Sequence, residues 1–148
     1  MFKELGWLAI LAAALAIYAI GFLIYGVLFD QVWMTLAGYT QESFAGQEWR
    51  MALSPVMPIL LAAGTALLRV WTRPRGLWPA LGVAALAWAV FLLPTRLYAF
   101  AYGLEPPGLT ALDAAHLLLD LLAAMLVLEL WPAGARKPRG GAAAGRLG

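Results

Sequence analysis

Three ionisable side chains follow one another at helical spacing in the last third of the sequence: Asp113, His116 and Asp120. Separations of three and then four residues put them on one face of an α-helix, because seven residues nearly complete two turns. The sequence around them is apolar from Leu109 to Trp131. Carboxylate–histidine chains recur in proton pathways, and histidine can change its charge near neutral pH. The pattern therefore indicates either a proton relay or polar ligand site, or hydrogen bonds that only hold helices together.

A counter-charge lies in the preceding apolar run. Arg96 comes four residues before that run ends at Phe100, and Asp113 comes four residues after the next run begins. Since a tight turn joins the two runs, we expect these side chains to lie at similar depth in the membrane and to form an ion pair. The pair either links the two helices or forms part of a site. Pro94 should bend the helix beside them. The arginine argues against a metal site on this face. We call four side chains the polar cluster: Arg96, Asp113, His116 and Asp120.

Two tyrosines of the first apolar run are candidate partners of the polar cluster. Tyr18 and Tyr25 are seven residues apart, in an aromatic stripe that also contains Phe22 and Phe29. Such stripes usually serve packing, but a tyrosine hydroxyl in hydrocarbon needs an acceptor. Tyr18 lies near the mid-depth of its run, as Asp120 does in the last one. We therefore expect the two hydroxyls to reach the polar cluster.

The elements that carry these residues are predicted from composition and run length. Of the 148 residues, 64% are hydrophobic and 12% are charged, whereas soluble domains have roughly 45–50% apolar and about 25% charged residues. About 20 apolar residues are needed to cross the bilayer, and four runs reach that length. We predict an all-α, integral membrane four-helix bundle in residues 1–131. Its spans are about 5–29, 52–70, 77–100 and 109–131.

Between the first two spans lies the only long connection. Its first half, from Asp30 to near Gly38, has Val32, Trp33 and Leu36 on one helical face and predicts a short interfacial helix. Residues 40–47 are predicted to form a polar loop. Residues 132–148 are rich in proline, glycine, alanine and arginine, so we expect a disordered basic tail.

The basic residues predict orientation. Membrane proteins keep an excess of lysine and arginine in their cytoplasmic loops. With both termini cytoplasmic, eight of the ten positive residues lie inside: Lys3, Arg69, Arg73, Arg75, Arg136, Lys137, Arg139 and Arg146. Only Arg50 and Arg96 lie outside. We therefore predict a protein of the bacterial cytoplasmic membrane with both termini in the cytoplasm.

The absent residue types and motifs exclude several functions. No cysteine is present in the sequence, which rules out disulfides, thiolate metal sites and a cysteine nucleophile. A net charge of +2 does not predict nucleic-acid binding, because the basic residues flank the spans. The sequence contains no phosphate-binding glycine loop, nucleophile elbow or zinc-protease motif. We expect no cofactor and no metal, and the balance favours a non-enzymatic protein.

A short motif in the first span and the following segment resembles a known family. It runs Gly21-Phe-Leu-Ile-Tyr-Gly-Val-Leu-Phe-Asp-Gln-Val-Trp-Met34, followed by Gly-Tyr-Thr-Gln-Glu at 38–42. These residues are similar to a bacterial family of small four-helix membrane proteins known only as a domain of unknown function. Ile24 replaces the usual tryptophan, His116 would match a histidine early in the last helix, and the tail after Trp131 is extra. The resemblance covers roughly residues 5–131 and implies the fold without an activity.

Three classes of function remain open. The leading hypothesis is a non-enzymatic membrane component that associates with itself or with a larger membrane complex, because the chain is small and has aromatic and small-residue faces. The second is a small permease or proton-linked transporter that uses the polar stripe of the last span. The third is an intramembrane enzyme or cofactor-binding protein. The lipid bilayer is the one partner common to all three.

Overall fold

The computed structural model describes residues 6–131, which form an all-α bundle without a strand in that range. The predicted all-α helical bundle is confirmed. Its helices are α1 (Trp7–Gly21), α2 (Asp30–Ala37), α3 (Val56–Thr72), α4 (Leu77–Ala87), α5 (Leu93–Gly103) and α6 (Pro107–Leu130). The tail predicted for residues 132–148, and Lys3, which the prediction assigns to the cytoplasmic side, lie outside the described residues.

Four continuous helical stretches of the described residues are long and apolar enough to cross a membrane: Trp7–Leu28, Glu48–Thr72, Leu77–Gly103 and Pro107–Leu130. The second begins earlier than the sequence indicates, because a 3-10 segment, Glu48–Leu53, precedes α3. Pro55 caps α3 and Pro58 lies in its first turn, where the missing amide donor costs least. Four helices of this length and composition indicate a membrane protein.

Two of these stretches contain π-helical segments, which the sequence analysis did not predict. The first π segment, Phe22–Leu28, follows α1 directly, and the amide of Phe29 donates to the carbonyl of Ile24 five residues back at 2.8 Å. The second π segment, Trp88–Leu92, joins α4 to α5. Its cause is Pro94, whose ring clashes with the carbonyl four residues earlier in an α-helix. A wider turn just before the proline relieves that clash, so the helix is perturbed where a bend was expected.

The segment between the first two long helices contains regular structure where a polar loop was predicted. The helix α2 covers the predicted interfacial helix and ends at Gly38, whose φ of 70° suits glycine. A 3-10 turn, Gln41–Phe44, follows, and a reciprocal capping box between Thr40 and Ser43 begins it. Phe44 stacks on Trp33 of α2, with ring centres 6.2 Å apart. The aromatic contact explains why this stretch folds back onto α2.

The helix α6 lies at the centre of the bundle and contacts α1, α3, α4 and α5. Its buried face meets alanines of its neighbours, and such small residues let helices approach closely without a driving force from water. One apolar cluster, shared with α1 and α3, includes Ala13, Ala62, Ala66 and Ala124. A second, shared with α4, consists of Ala80, Ala84, Leu121 and Met125. Both clusters hold α6 against its neighbours. This packing fixes the positions of Asp113, His116 and Asp120 along the same helix.

Candidate functional site

Asp113 is the point at which three helical stretches meet. Its Oδ1 accepts a hydrogen bond from the Tyr25 hydroxyl at 2.6 Å. Its Oδ2 lies 2.9 Å from Nη2 of Arg96, which α5 supplies. The structure therefore brings together Arg96 and Asp113 as their similar depths suggest. Both side chains are about one-fifth exposed (21% and 22%), and the turn between α5 and α6 joins their helices at this end of the bundle.

Arg96 has a second carboxylate partner, Glu105, which the sequence analysis did not assign to the polar cluster. The same Nη2 pairs with Oε1 of Glu105, in the turn between α5 and α6. The Thr110 hydroxyl donates to the other Glu105 oxygen at 2.9 Å. The signal was present in the sequence, since Glu105 is an acidic residue only nine positions after Arg96, in the short turn that follows α5. Arg96 therefore holds two carboxylates rather than one.

Deeper in the bundle, His116 and Asp120 are neighbours along α6. The Nε2 atom of His116 lies 3.2 Å from Oδ2 of Asp120, one helical turn away, but the two do not have hydrogen-bond geometry. Asp120 is 1% exposed. Its Oδ1 and the histidine Nε2 are both buried without a hydrogen-bond partner among the described residues. A buried polar atom without a partner is uncommon, and Arg96 Nε is a third such atom of the polar cluster within the described residues.

Tyr25 joins the polar cluster, whereas Tyr18 does not. The ring of Tyr25 meets that of His116 edge-on, with centres 4.8 Å apart, and its hydroxyl is bound by Asp113. Tyr18 is 48% exposed and makes no side-chain hydrogen bond within the described range. The expectation for Tyr18 assumed a continuous α-helix. The first π segment has more residues per turn, so it rotates Tyr25 away from the face of Tyr18 and toward α6.

The second π segment also contributes a side chain to this part of α6. The indole N–H of Trp88 donates to the carbonyl oxygen of Ala114 at 2.8 Å. Sequence reasoning missed Trp88, because a tryptophan in an apolar run carries no sign of its partner. Both π segments therefore place an aromatic side chain against α6, at the adjacent residues Asp113 and Ala114.

Within the described residues, an apolar layer separates the polar cluster from the other end of α6. Proceeding along α6 from Glu105, the ionisable groups are Asp113, His116 and Asp120, and then the buried face becomes apolar with Leu121, Ala124, Met125 and Leu128. The next charged group, Glu129, lies at the far end, where it accepts a 2.7 Å hydrogen bond from Arg69 of α3. This second ion pair, which the sequence analysis did not predict, is separated from the polar cluster by the apolar layer.

These groups can accept, hold and pass protons. Carboxylate, phenol and imidazole are all proton donors or acceptors, and they follow one another at contact distance from Asp113 to Asp120. In residues 6–131 no group of three or more histidine, aspartate or glutamate side chains has an arrangement that could hold a metal ion.

Comparison with known proteins gives a family. Neither the curated proteins nor the solved structures include a match to this chain. A family model matches residues 8–129, a range that contains the whole polar cluster together with Tyr25 and Glu105. The match covers most of the chain and confirms the resemblance to a family without an assigned activity. The chain belongs to the family described as "Protein of unknown function (DUF1761)".

Proposed function

We propose that this chain is a small proton-linked permease of the membrane, in which the polar cluster binds and transfers protons. The observation that carries the proposal is the position of Asp120, which is 1% exposed near the middle of α6 and has an oxygen without a partner in the described residues. A carboxyl group inside a membrane is expensive and is the default candidate for an ion or proton pathway. A protonated Asp120 would remove that cost and would supply a hydrogen-bond donor.

The spacing along α6 supports transfer rather than simple binding. The Tyr25 hydroxyl is 2.6 Å from Asp113, and His116 is 3.2 Å from Asp120. Between these two pairs only the rings of Tyr25 and His116 meet, so transfer of a proton from Asp113 to the imidazole requires the side chains to reorient. Beyond Asp120 an apolar face of α6 separates these groups from the ion pair of Arg69 and Glu129.

The proposed site would open to the outside of the cell. The excess of basic residues at one end supports an arrangement with both termini in the cytoplasm, in the cytoplasmic membrane of a bacterium. Arg96 and Glu105 would then lie at the opposite, outer end. A reporter enzyme fused to the C-terminus and active only outside the cytoplasm should stay inactive. An active reporter would refute this orientation.

Proton flux into reconstituted vesicles tests the function. The full chain is placed in liposomes that contain a pH-sensitive dye, and a potential is applied with potassium and valinomycin. We expect flux above that of empty vesicles, and its loss in Asp120→Asn, which keeps the shape but cannot hold a charge. Glu129→Gln is the matched control, because it removes a carboxylate of the same helix beyond the apolar layer and should retain flux. Flux equal to that of empty vesicles, or unchanged flux in Asp120→Asn, would contradict the proposal.

A second candidate is self-association, and it is favoured by two glycines on the outer surface. Gly64 of α3 and Gly82 of α4 are exposed, and no other part of the described residues lies within 4 Å of the position that a Cβ would occupy, apart from the local helix backbone. Such positions let a second helix approach closely. Because the chain has no cysteine, Gly64→Cys and Gly82→Cys can be oxidised in membranes without background. A disulfide-linked dimer at either position, and none with the exposed Phe91→Cys, would support association; monomers throughout would exclude it at these faces.

A further inference from the structure

The turn between α3 and α4 carries two arginines without a carboxylate partner in residues 6–131. We call this segment the basic turn, and it consists of Arg73, Pro74, Arg75 and Gly76. Both arginines are exposed, and neither takes part in a salt bridge among the described residues. Glu129 is the acidic residue of the described chain at this end, and Arg69 already holds it at 2.7 Å. Two positive charges of the part that the structure describes are therefore left here without a counter-charge.

An exposed tryptophan flanks the basic turn on each side. Trp71 is the next-to-last residue of α3 and Trp78 is the second residue of α4, and they are 68% and 81% exposed. Both helices belong to stretches that are long and apolar enough to cross a membrane, so the turn between them lies at the level of the lipid headgroups. Tryptophan is enriched at that level, because its ring is apolar and its indole N–H is polar. The basic turn is therefore a cationic surface with a border suited to lipid.

The backbone of the basic turn does not require an arginine. Arg73 ends α3 in the left-handed conformation, with a φ of 46°, and its amide donates to the carbonyl oxygen of Arg69 at 3.0 Å. A residue with a Cβ adopts this conformation at a cost, and glycine is the usual residue at such a helix end. A glycine at this position would make the same bond with less strain, so the turn itself gives no reason for the charged side chain.

We propose that the basic turn binds the headgroup of an anionic phospholipid in the adjoining leaflet. Arg73 and Arg75 bind its phosphodiester oxygens, and the flanking tryptophans contact the apolar region below it. Guanidinium groups donate several hydrogen bonds to phosphate and keep their charge at physiological pH. The inference does not depend on the proposed proton transfer, because the apolar layer of α6 separates this end of the bundle from the polar cluster.

The surroundings of the basic turn favour a lipid over a soluble anion or an acidic protein. The turn is short and joins two membrane-length stretches, so its arginines stay close to the headgroups. The exposed tryptophans add an apolar border that a soluble anion would leave uncovered. A phospholipid with a net negative headgroup supplies both the charge and the apolar chains. It is therefore the ligand whose chemistry matches the whole surface.

Native mass spectrometry of the full chain, released from detergent micelles, tests the inference. Dioleoylphosphatidylglycerol and dioleoylphosphatidylcholine are added at equal concentration, because they have the same acyl chains and differ in headgroup charge. We expect the wild-type chain to retain the anionic lipid preferentially. Since an arginine near an anionic surface contributes about a fivefold preference, Arg73→Gly and Arg75→Gln should each reduce the preference about fivefold and the double variant about 25-fold.

Two matched controls lie at the opposite end of the bundle. Leu104 ends α5 with a φ of 54°, so Leu104→Gly relieves the same backbone conformation without removing a charge. Arg50 is exposed beside a tryptophan, with its guanidinium carbon 5.6 Å from the ring centre of Trp49, in a segment that also carries Glu42 and Glu48. Arg50→Gln therefore removes the same charge from a less cationic surface. Both variants should keep the wild-type preference.

Each outcome decides for or against the lipid site. Equal retention of the two lipids by the wild-type chain overturns it, as does an unchanged preference in the double variant or an equal loss in Arg50→Gln. An excess of inorganic phosphate should leave the lipid bound, and displacement of the lipid would show a site for free phosphate instead. Arg73→Gly should fold like the wild-type chain, because glycine suits the left-handed backbone. A lost preference in this variant is therefore due to the missing guanidinium and not to misfolding.

Discussion

Removal of Arg96 should destabilise the protein far more than removal of either carboxylate that it holds. Arg96→Met leaves Asp113 and Glu105 partly buried and close together without their cation, and breaking a buried pair in this way costs about 3–5 kcal/mol. Asp113→Asn leaves Arg96 paired with Glu105, and the asparagine oxygen can still accept from Tyr25. Arg96 and Asp113 are about one-fifth exposed (21% and 22%). We therefore expect Asp113→Asn to lower the free energy of unfolding by about 1.5 kcal/mol, the low end for a hydrogen bond to a charged group.

The assay is equilibrium unfolding of the purified chain in mixed micelles with a rising fraction of sodium dodecyl sulfate, followed by circular dichroism. The free energies of unfolding of the two single variants and the double variant form a cycle. The double variant should cost less than the sum of the singles, because asparagine removes one of the two stranded charges. Glu105→Gln should resemble Asp113→Asn. Equal costs for Arg96→Met and Asp113→Asn, or strict additivity, would refute the two-carboxylate arrangement.

Three further changes test other parts of the bundle by the same unfolding assay. Tyr25→Phe removes the hydroxyl that Asp113 binds and should cost about 1.5 kcal/mol or more; no loss would mean that the bond does not form. Met125→Ala at a fully buried position (0% exposed) should cost about 2 kcal/mol through lost packing, and the exposed Met57→Ala should cost under about 0.5 kcal/mol. Gly38→Ala, at a φ of 70°, should cost about 1 kcal/mol; a neutral result would argue against the left-handed cap.

The sequence predicted those features that follow from run length and helical spacing. The four apolar stretches and the similar depth of Arg96 and Asp113 follow from run length. The position of α2 before Gly38 follows from helical spacing and from the glycine. The role of Tyr25 against that of Tyr18 could not be predicted, because a π segment shifts the face of every residue after it. The bonds of Trp88 to Ala114 and of Arg69 to Glu129 depend on which helices are neighbours. Helix adjacency is set by packing, and a single sequence does not specify it.

The ion pair of Arg69 with Glu129 has a consequence for biosynthesis. The arginine belongs to the second long helix and the glutamate to the end of the fourth, so the cation is made 60 residues before its partner. During synthesis the second long helix is made before Glu129, so the Arg69 guanidinium then has no carboxylate partner. The long arginine side chain lets the guanidinium lie in the headgroup region. Its carboxylate partner Glu129 becomes available only when α6 has been inserted. The helix at the centre of the bundle is therefore also the one whose insertion completes its assembly.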